Sequence, residues 1–249
     1  MSPLTIVIIV AIAVLIILIL RYYLTDSSTL QSSVQSGQTS TVIQASSLAS
    51  DSGNAPATNF TYSSWFYIND WNYRYGHKKV LFGRMGASAS SNGIDDLSKL
   101  EPCPAVIFGA IENNLAVSLS CFGSPDSPTN GDKMTLHTAM VSNIPIQRWV
   151  NLLISVYGRT LDIYIDGKLV RTSVLPGIAS VKNNANVFVT PMGGFDGWTS
   201  KLQYWPNAYN TQQAWNTYLK GYKSAIFGSD YQLQISLLEN GATQSTFTT

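Results

Sequence analysis

The 249-residue chain contains only two histidines and two cysteines, and Asp, Glu, Lys and Arg together make up 12% of it. The histidines, His77 and His137, lie too far apart to form a zinc-protease pair on one helix. There is no Gly-x-Ser-x-Gly elbow for a serine hydrolase and no glycine-rich loop that could cradle a phosphate. The formal net charge is +1. With no basic stripe to follow a phosphate backbone and no acidic tail, nucleic acid is not an expected partner. No dense Asp/Glu cluster offers the roughly six to eight oxygens that calcium takes, so no cofactor is expected.

What the chain does have is an unbroken apolar run from Leu4 to Leu20, closed by Arg21-Tyr22-Tyr23. As a helix this run is roughly 26 Å long, enough for a hydrocarbon core once the flanking tyrosines sit in the interface. A cleaved signal peptide would need a basic start and a small-x-small cleavage site, and neither is present. Residues 1–23 therefore read as an uncleaved anchor and the chain as a single-pass membrane protein. Topology stays open: Arg21 favours a cytoplasmic body, whereas the sequon Asn59-Phe60-Thr61 and a candidate disulfide favour an oxidising side.

From Leu24 to Thr58 the composition turns to Ser, Thr, Gln and Ala, with Asp26 and Asp51 the only charges and no aromatic residue. Such a segment has little apolar area to set against its ordering entropy, and residues 24–58 read as a flexible stalk.

Residues 59–249 read as one all-β domain. The chain's 13 Tyr and 6 Trp and recurrent Asn-Asn, Asp-Gly and Gly-Gly turns between short apolar stretches are the pattern of an antiparallel sandwich. Gly158-Arg159 and Asp166-Gly167 divide three strands, 149–157, 160–165 and 168–174. Two-residue loops place Thr160 opposite Tyr157 and Ile165 opposite Lys168. Extended without interruption, that register sets Asp162 opposite Arg171. It puts Leu152, Ile154, Val156, Leu161, Ile163, Ile165 and Val170 on the core face.

A further hairpin centres on Glu112-Asn113-Asn114 and joins 105–111 to 115–122. A register in which facing residue numbers sum to an even value puts Ile107, Gly109 and Ile111 on the face of Leu115, Val117 and Leu119. It also brings Cys103 opposite or diagonal to Cys121. Two readings are open for that pair, a cross-strand disulfide or two buried thiols.

The succession Phe60-Thr-Tyr-Ser-Ser-Trp-Phe-Tyr-Ile68, Lys79-Val-Leu-Phe-Gly83, Ile146-Gln-Arg-Trp-Val-Asn-Leu-Leu153, Gly158-Arg-Thr-Leu-Asp-Ile-Tyr-Ile-Asp-Gly-Lys-Leu-Val170 and Gly194-Phe-Asp-Gly-Trp198 resembles a laminin-G-like, concanavalin-A-like jelly roll. The resemblance implies two curved antiparallel sheets of six or seven strands. It also implies a short helix afterwards, matched by Thr211 to Tyr222, with Tyr231 to Leu237 as a further strand. A membrane anchor, a stalk and one such domain are also similar to structural membrane or minor capsid proteins of large DNA viruses, which implies a bilayer and capsid or other membrane-associated proteins as partners.

The same fold hosts glycoside hydrolases that work with paired carboxylates on a Glu-x-Asp-x-x-Glu strand. With Asp162 in the central place, Thr160 stands where the first Glu is needed, and neither Tyr164 nor Ile165 replaces the second; an enzyme is not expected. Other members bind glycans through calcium and stacked rings. The residues this chain offers for a glycan or partner are Trp71, Tyr73 and Tyr75 in one loop and Trp198 in another; Trp149, Trp205 and Trp215 read as core or helix-docking rings. The reading is a membrane-anchored structural and interaction protein, with a lectin-like module as the alternative. If Leu4–Leu20 spans the bilayer, replacing Val10 and Leu15 with Arg releases the chain from alkali-washed membranes. Unchanged retention, or a mature N-terminus near Ser27, contradicts the anchor.

Overall fold

The computed structural model describes residues 10, 12–16, 28–48, 58–86, 100–123, 134–182, 184–223, 234–239 and 242–248. Val10 and Ile12 to Ile16 are helical and exposed, but most of the expected anchor lies outside the described residues. Among the described residues no helix is long and apolar enough to cross a membrane.

Two antiparallel sheets form a sandwich. The first orders β1 (Thr29–Gln31), β13 (Asp196–Trp205), β4 (Phe60–Asp70), β9 (Trp149–Tyr157), β10 (Thr160–Ile165) and β11 (Lys168–Val174), with β2 (Gln35–Ser36) also paired to β13. The second orders β3 (Thr41–Ile43), β12 (Asn186–Val189), β5 (Lys79–Met85), β6 (Ala105–Phe108), β7 (Asn114–Cys121) and β8 (Thr135–Ser142). One helix, α1 (Thr211–Leu219), follows β13, and β14 (Gln234–Glu239) pairs with β15 (Ala242–Thr248) in a separate hairpin. The further strand expected at Tyr231–Leu237 overlaps β14 from Gln234, and its first three residues lie outside the described residues.

Alternation in β4 makes the sandwich. Phe60, Tyr62, Phe66 and Ile68 enter the main core with Leu152, Ile154 and Val156 of β9, Leu161 and Ile163 of β10 and Val117 and Leu119 of β7. Burying each such aliphatic or aromatic side chain contributes about 1.5–3 kcal/mol.

The β9–β10–β11 meander has the expected strand limits, and both turns have the expected pairs, Thr160 with Tyr157 and Ile165 with Lys168. Asp166 (φ 50°) and Gly167 (φ 72°) both adopt the left-handed conformation that a type I′ hairpin demands. A bulge then shifts the register after Tyr164. Asp162 lies opposite Thr172, whose hydroxyl donates to its carboxylate at 2.6 Å, and not opposite Arg171. Arg171 instead donates to the Met140 carbonyl of the other sheet's edge strand. The same extra residue turns Val170 outward, 47% exposed, so it is not a core residue.

The β6–β7 hairpin departs further from expectation. Gly109 N donates to Asn114 O, closing a four-residue loop, and Val106 pairs with Val117. A Cβ on Gly109 would stand 2.3 Å from Glu112 O, so the turn is too tight for a side chain there. This register is one residue off that expected, and one residue flips the face. Val106 and Phe108 enter the main core, Ile107 joins a second cluster with Val80, Met85, Leu100 and Phe188, and Ile111 is exposed.

Cys103 and Cys121 are both free and buried. The shifted register aligns position 120, not 121, with the start of the hairpin, as the Ser120 N to Pro102 O bond records, so the disulfide reading is corrected. The sequon is also engaged: Asn59 Oδ1 accepts from Gly158 N at 2.7 Å, and Thr61 is fully buried.

The largest correction concerns the expected stalk. Residues 28–48 belong to the sandwich: β1 and β2 pair with β13, and β3 pairs with β12. Ser28 and Gln31 are buried, and Gly37 and Phe195 are joined by the Phe195 N to Gly37 O bond. A polar segment can do this because edge pairing is carried by backbone hydrogen bonds and needs little apolar area.

Burial pushes both thiols up, Cys121 to about 11 and Cys103 further, with Cys121 close by adding to the rise at Cys103. In the unfolded chain a thiol ionises near its ordinary value of 9.0, so the raised values contribute stability that is complete below that pH and lost as pH rises through about 11. Urea midpoints measured across this range should fall, and the fall should be shallower in the Cys103→Ala, Cys121→Ala double variant. Equal slopes, or a native mass short by two hydrogens, contradict two buried thiols.

Candidate functional site

The outer face of the seven-stranded sheet is rich in rings. On β4 the residues between the core positions are Trp65 and Tyr67, on β9 Trp149 precedes the buried run, and on β13 Trp198 points away from the core. Trp198 pairs with Tyr67, and Tyr67 with Trp149, so three rings stand in one row across three strands. Their centroids are 5.3 Å and 5.9 Å apart, both edge-on.

The row continues over the segment that follows β13. Asn210 caps α1: its side chain accepts from Gln213 N at 3.0 Å while the Gln213 side chain accepts from Asn210 N at 2.9 Å. The helix was expected to reach Tyr222 but stops at Leu219, because Gly221 (φ 68°) takes the left-handed conformation and its N–H returns to Tyr218 O. Lys201, at a bulge in β13, donates to the carbonyls of Lys220 and Gly221 and holds the helix end to the sheet.

Tyr222 then turns back onto the sheet. Its carbonyl accepts from Ser200 Oγ at 2.7 Å, and its ring stacks on Trp149 at 4.3 Å and 12°. From Tyr222 the contacts run to Trp65 (6.0 Å), Tyr218 (5.6 Å from Trp65) and Trp215 (5.4 Å from Tyr218). Trp215 and Tyr218 lie over Gly167, where a Cβ would come within 2.9 Å of the Trp215 ring. Trp65 is buried, Tyr67, Trp149, Tyr218 and Tyr222 are half-buried, and Trp198 and Trp215 are 42% and 37% exposed.

Cations border the row. Lys223 lies 5.8 Å over the Tyr222 ring, Lys220 is exposed, and Arg148 beside Trp149 pairs with Asp166.

The four residues expected at a contact site separate into two places. Trp71 and Tyr73 are half-buried in the loop after β4, where Trp71 Nε1 donates to Ile111 O at 3.2 Å and Tyr73 OH to Gly193 O at 3.1 Å. Arg74 reaches the Met192 carbonyl, and Tyr75 is exposed. The buried Lys79 ammonium donates to Trp71 O at 3.1 Å and lies 5.0 Å from the Trp71 ring centroid. Desolvation pulls its pKa below the ordinary lysine value, Arg74 adds to that, and Asp70 opposes it. Trp71, Tyr73 and Lys79 thus lock the loop against the sandwich, and only Trp198 belongs to the row. Tyr67, Trp149 and Tyr222 were missed. Period-2 alternation against Phe66 and Ile68 could have flagged Tyr67, but nothing local places Tyr222 over Trp149.

Asp162 is half-buried on the same outer face, held by Thr172. Among the described residues no group of three or more His, Cys, Asp or Glu is placed to hold a metal.

No family model matches the chain, and no curated protein matches it in sequence. Solved structures do match. The receptor binding domain of botulinum neurotoxin D has a TM-score of 0.52 at 11% identity, over 77% of this chain and 52% of that one. The botulinum neurotoxin serotype D binding domain has 0.50 at 11%, over 76% and 42%. The binding domain of botulinum neurotoxin DC in complex with rat synaptotagmin II has 0.50 at 12%, over 76% and 45%. The likeness is one of fold. The chain spans about half of those chains or less, and what it shares with them is a jelly-roll-like β-sandwich.

The row sorts its members by burial, and truncation costs should follow. Trp65→Ala removes a buried ring and should cost about 3–5 kcal/mol. Trp149→Ala, half-buried and stacked, should cost about 1–2 kcal/mol, and Trp198→Ala under about 1 kcal/mol. Urea unfolding of the three variants checks the order.

Proposed function

We propose that the chain is a membrane-anchored, non-enzymatic interaction protein in which a concanavalin-A-like sandwich, held to a bilayer by Leu4–Leu20, contacts a second surface. In its most specific form it is a minor capsid or inner-membrane protein of a virus particle, linking the bilayer to a protein shell. The observation that carries this reading is the aromatic row. It is a broad, half-exposed surface across three strands, which suits contact with another surface more than capture of a small substrate in a cleft. Likeness to binding domains, one of them solved in complex with rat synaptotagmin II, supports an interaction role at the level of fold. The virion assignment rests on the resemblance of anchor plus sandwich to viral structural membrane proteins.

A glycan-binding module is the second reading, favoured by the same rings, since Trp and Tyr faces stack on pyranoses as well as on protein. The deciding experiment is mass spectrometry of purified particles and membranes. A fixed copy ratio to shell subunits is expected, with no glycan hydrolysis by the purified chain. Absence from particles removes the virion role. Hydrolysis that disappears in Asp162→Ala overturns the non-enzymatic reading.

A further inference from the structure

We propose that the edge strand β8 pairs antiparallel with β8 of a second copy of the chain, with a two-fold axis at Thr138, so that the two six-stranded sheets continue into one. This goes beyond the function proposed above and uses neither the anchor nor the aromatic row.

The first argument is that β8 is the unguarded edge of the sandwich among the described residues. The edges β1 and β3 are three residues long each, and β11 is broken by a bulge and carries Lys168 and Arg171. Short strands, bulges and cations are devices that keep an edge from pairing with another chain. β8 has none of them. It is eight residues long, contains no proline and pairs with β7 without a register shift, from Asn114–Ser142 to Cys121–Thr135. No Lys, Arg, Asp or Glu occurs between Met134 and Gln147.

The second argument is what this edge presents. Arg171, from the other sheet, donates to Met140 O, so that carbonyl points away from β7. Because backbone groups alternate in direction along a strand, the N–H and C=O of Leu136, Thr138, Met140 and Ser142 all face the open side. Arg171 occupies one acceptor position on one of these carbonyls, and a carbonyl oxygen has two. The row of donors and acceptors is therefore ready for another strand.

The third argument is that the strand is complementary to itself, which a two-fold contact requires. Antiparallel pairing centred on Thr138 sets open-side groups against open-side groups. It places Thr138 beside Thr138 of the second copy, Leu136 beside Met140, and Met134 beside Ser142. These side chains lie on the outer face, since Ala139 and Val141 between them meet the main core. Leu136 is half-buried against the second cluster, and Met140 is 45% exposed. The pairing thus lays Met140 against Leu136 twice, once on each side of the axis, and brings no charge of β8 to the contact.

The test uses the full chain in detergent. Facing residues of such a pair have Cα atoms about 5.5 Å apart, a separation a disulfide can bridge. The two native thiols are buried. Under a mild oxidant Thr138→Cys should give roughly fivefold more crosslinked dimer than Val174→Cys, which is exposed on the guarded edge β11. Thr138→Lys, at an exposed position, should raise the dimer dissociation constant about tenfold by sedimentation. In wild type the amides of Leu136, Thr138, Met140 and Ser142 should exchange about tenfold more slowly as the chain is concentrated. That measurement needs no variant and stands whether or not Thr138→Lys folds. A chain that stays monomeric at every concentration overturns the proposal. So does a dimer in which these amides gain no protection, because another surface then holds it. Protection that appears only when a shell subunit or an extended peptide is added assigns the edge to a different strand and overturns it as well.

Discussion

Everything in this sandwich depends on β4 being occupied on both faces. Its even-numbered side chains from Phe60 to Ile68 fill the space between the sheets, and its odd-numbered Trp65 and Tyr67 build the outer surface. Both neighbours, β13 and β9, register on this strand, so a slip by one residue would empty the core and bury the row together. The core aromatic contacts Tyr62–Tyr204 at 4.9 Å and Phe66–Phe108 at 5.2 Å fix one face, and the Trp198–Tyr67–Trp149 row the other. The aromatic row is thus a consequence of the strand that makes the fold.

How far the sequence reveals this depends on whether the determining interaction is local. The turns at Gly158 and Asp166-Gly167 are local, because left-handed backbone is written in their residue types, and the strand limits around them are legible to the residue. The bulge at Tyr164 is not, since nothing in Ile163-Tyr164 or Leu169-Val170-Arg171 marks an extra residue, and so the partner of Asp162 was misassigned. The β6–β7 register depends on Gly109 being drawn into the pairing by Asn114 and leaving a four-residue loop, a choice between loops of similar composition. Residues 28–48 look unstructured for a different reason. Their order comes from backbone pairing with β13 and β12, distant in sequence, and composition does not record where a free edge waits.

The candidate site divides in the same way. Trp71 and Tyr73 sit in a sequence-local aromatic cluster and looked like a contact site, yet their polar tips are satisfied by Ile111 and Gly193 carbonyls and the rings serve the loop. Trp198 was legible as a candidate, but its ring neighbours come from β4, β9 and the segment after α1. The anchor expected from hydropathy lies mostly outside the described residues.

Residues 28–48 also solve a problem that every open sandwich has. Each sheet has two edges, and an uncovered edge presents unpaired N–H and C=O groups to any passing strand. On one side the edges are β11 and β8, where β11 carries Lys168 and Arg171 and Arg171 bridges to Met140 O of β8. On the other side one short segment supplies the edge strand of both sheets, β1 to the first and β3 to the second, and turns between them at Gly37 under Phe195. A pull on this segment acts on hydrogen-bonded strands, not on a slack coil. The segment that composition marks as a coil is thus the one that closes this side of the sandwich.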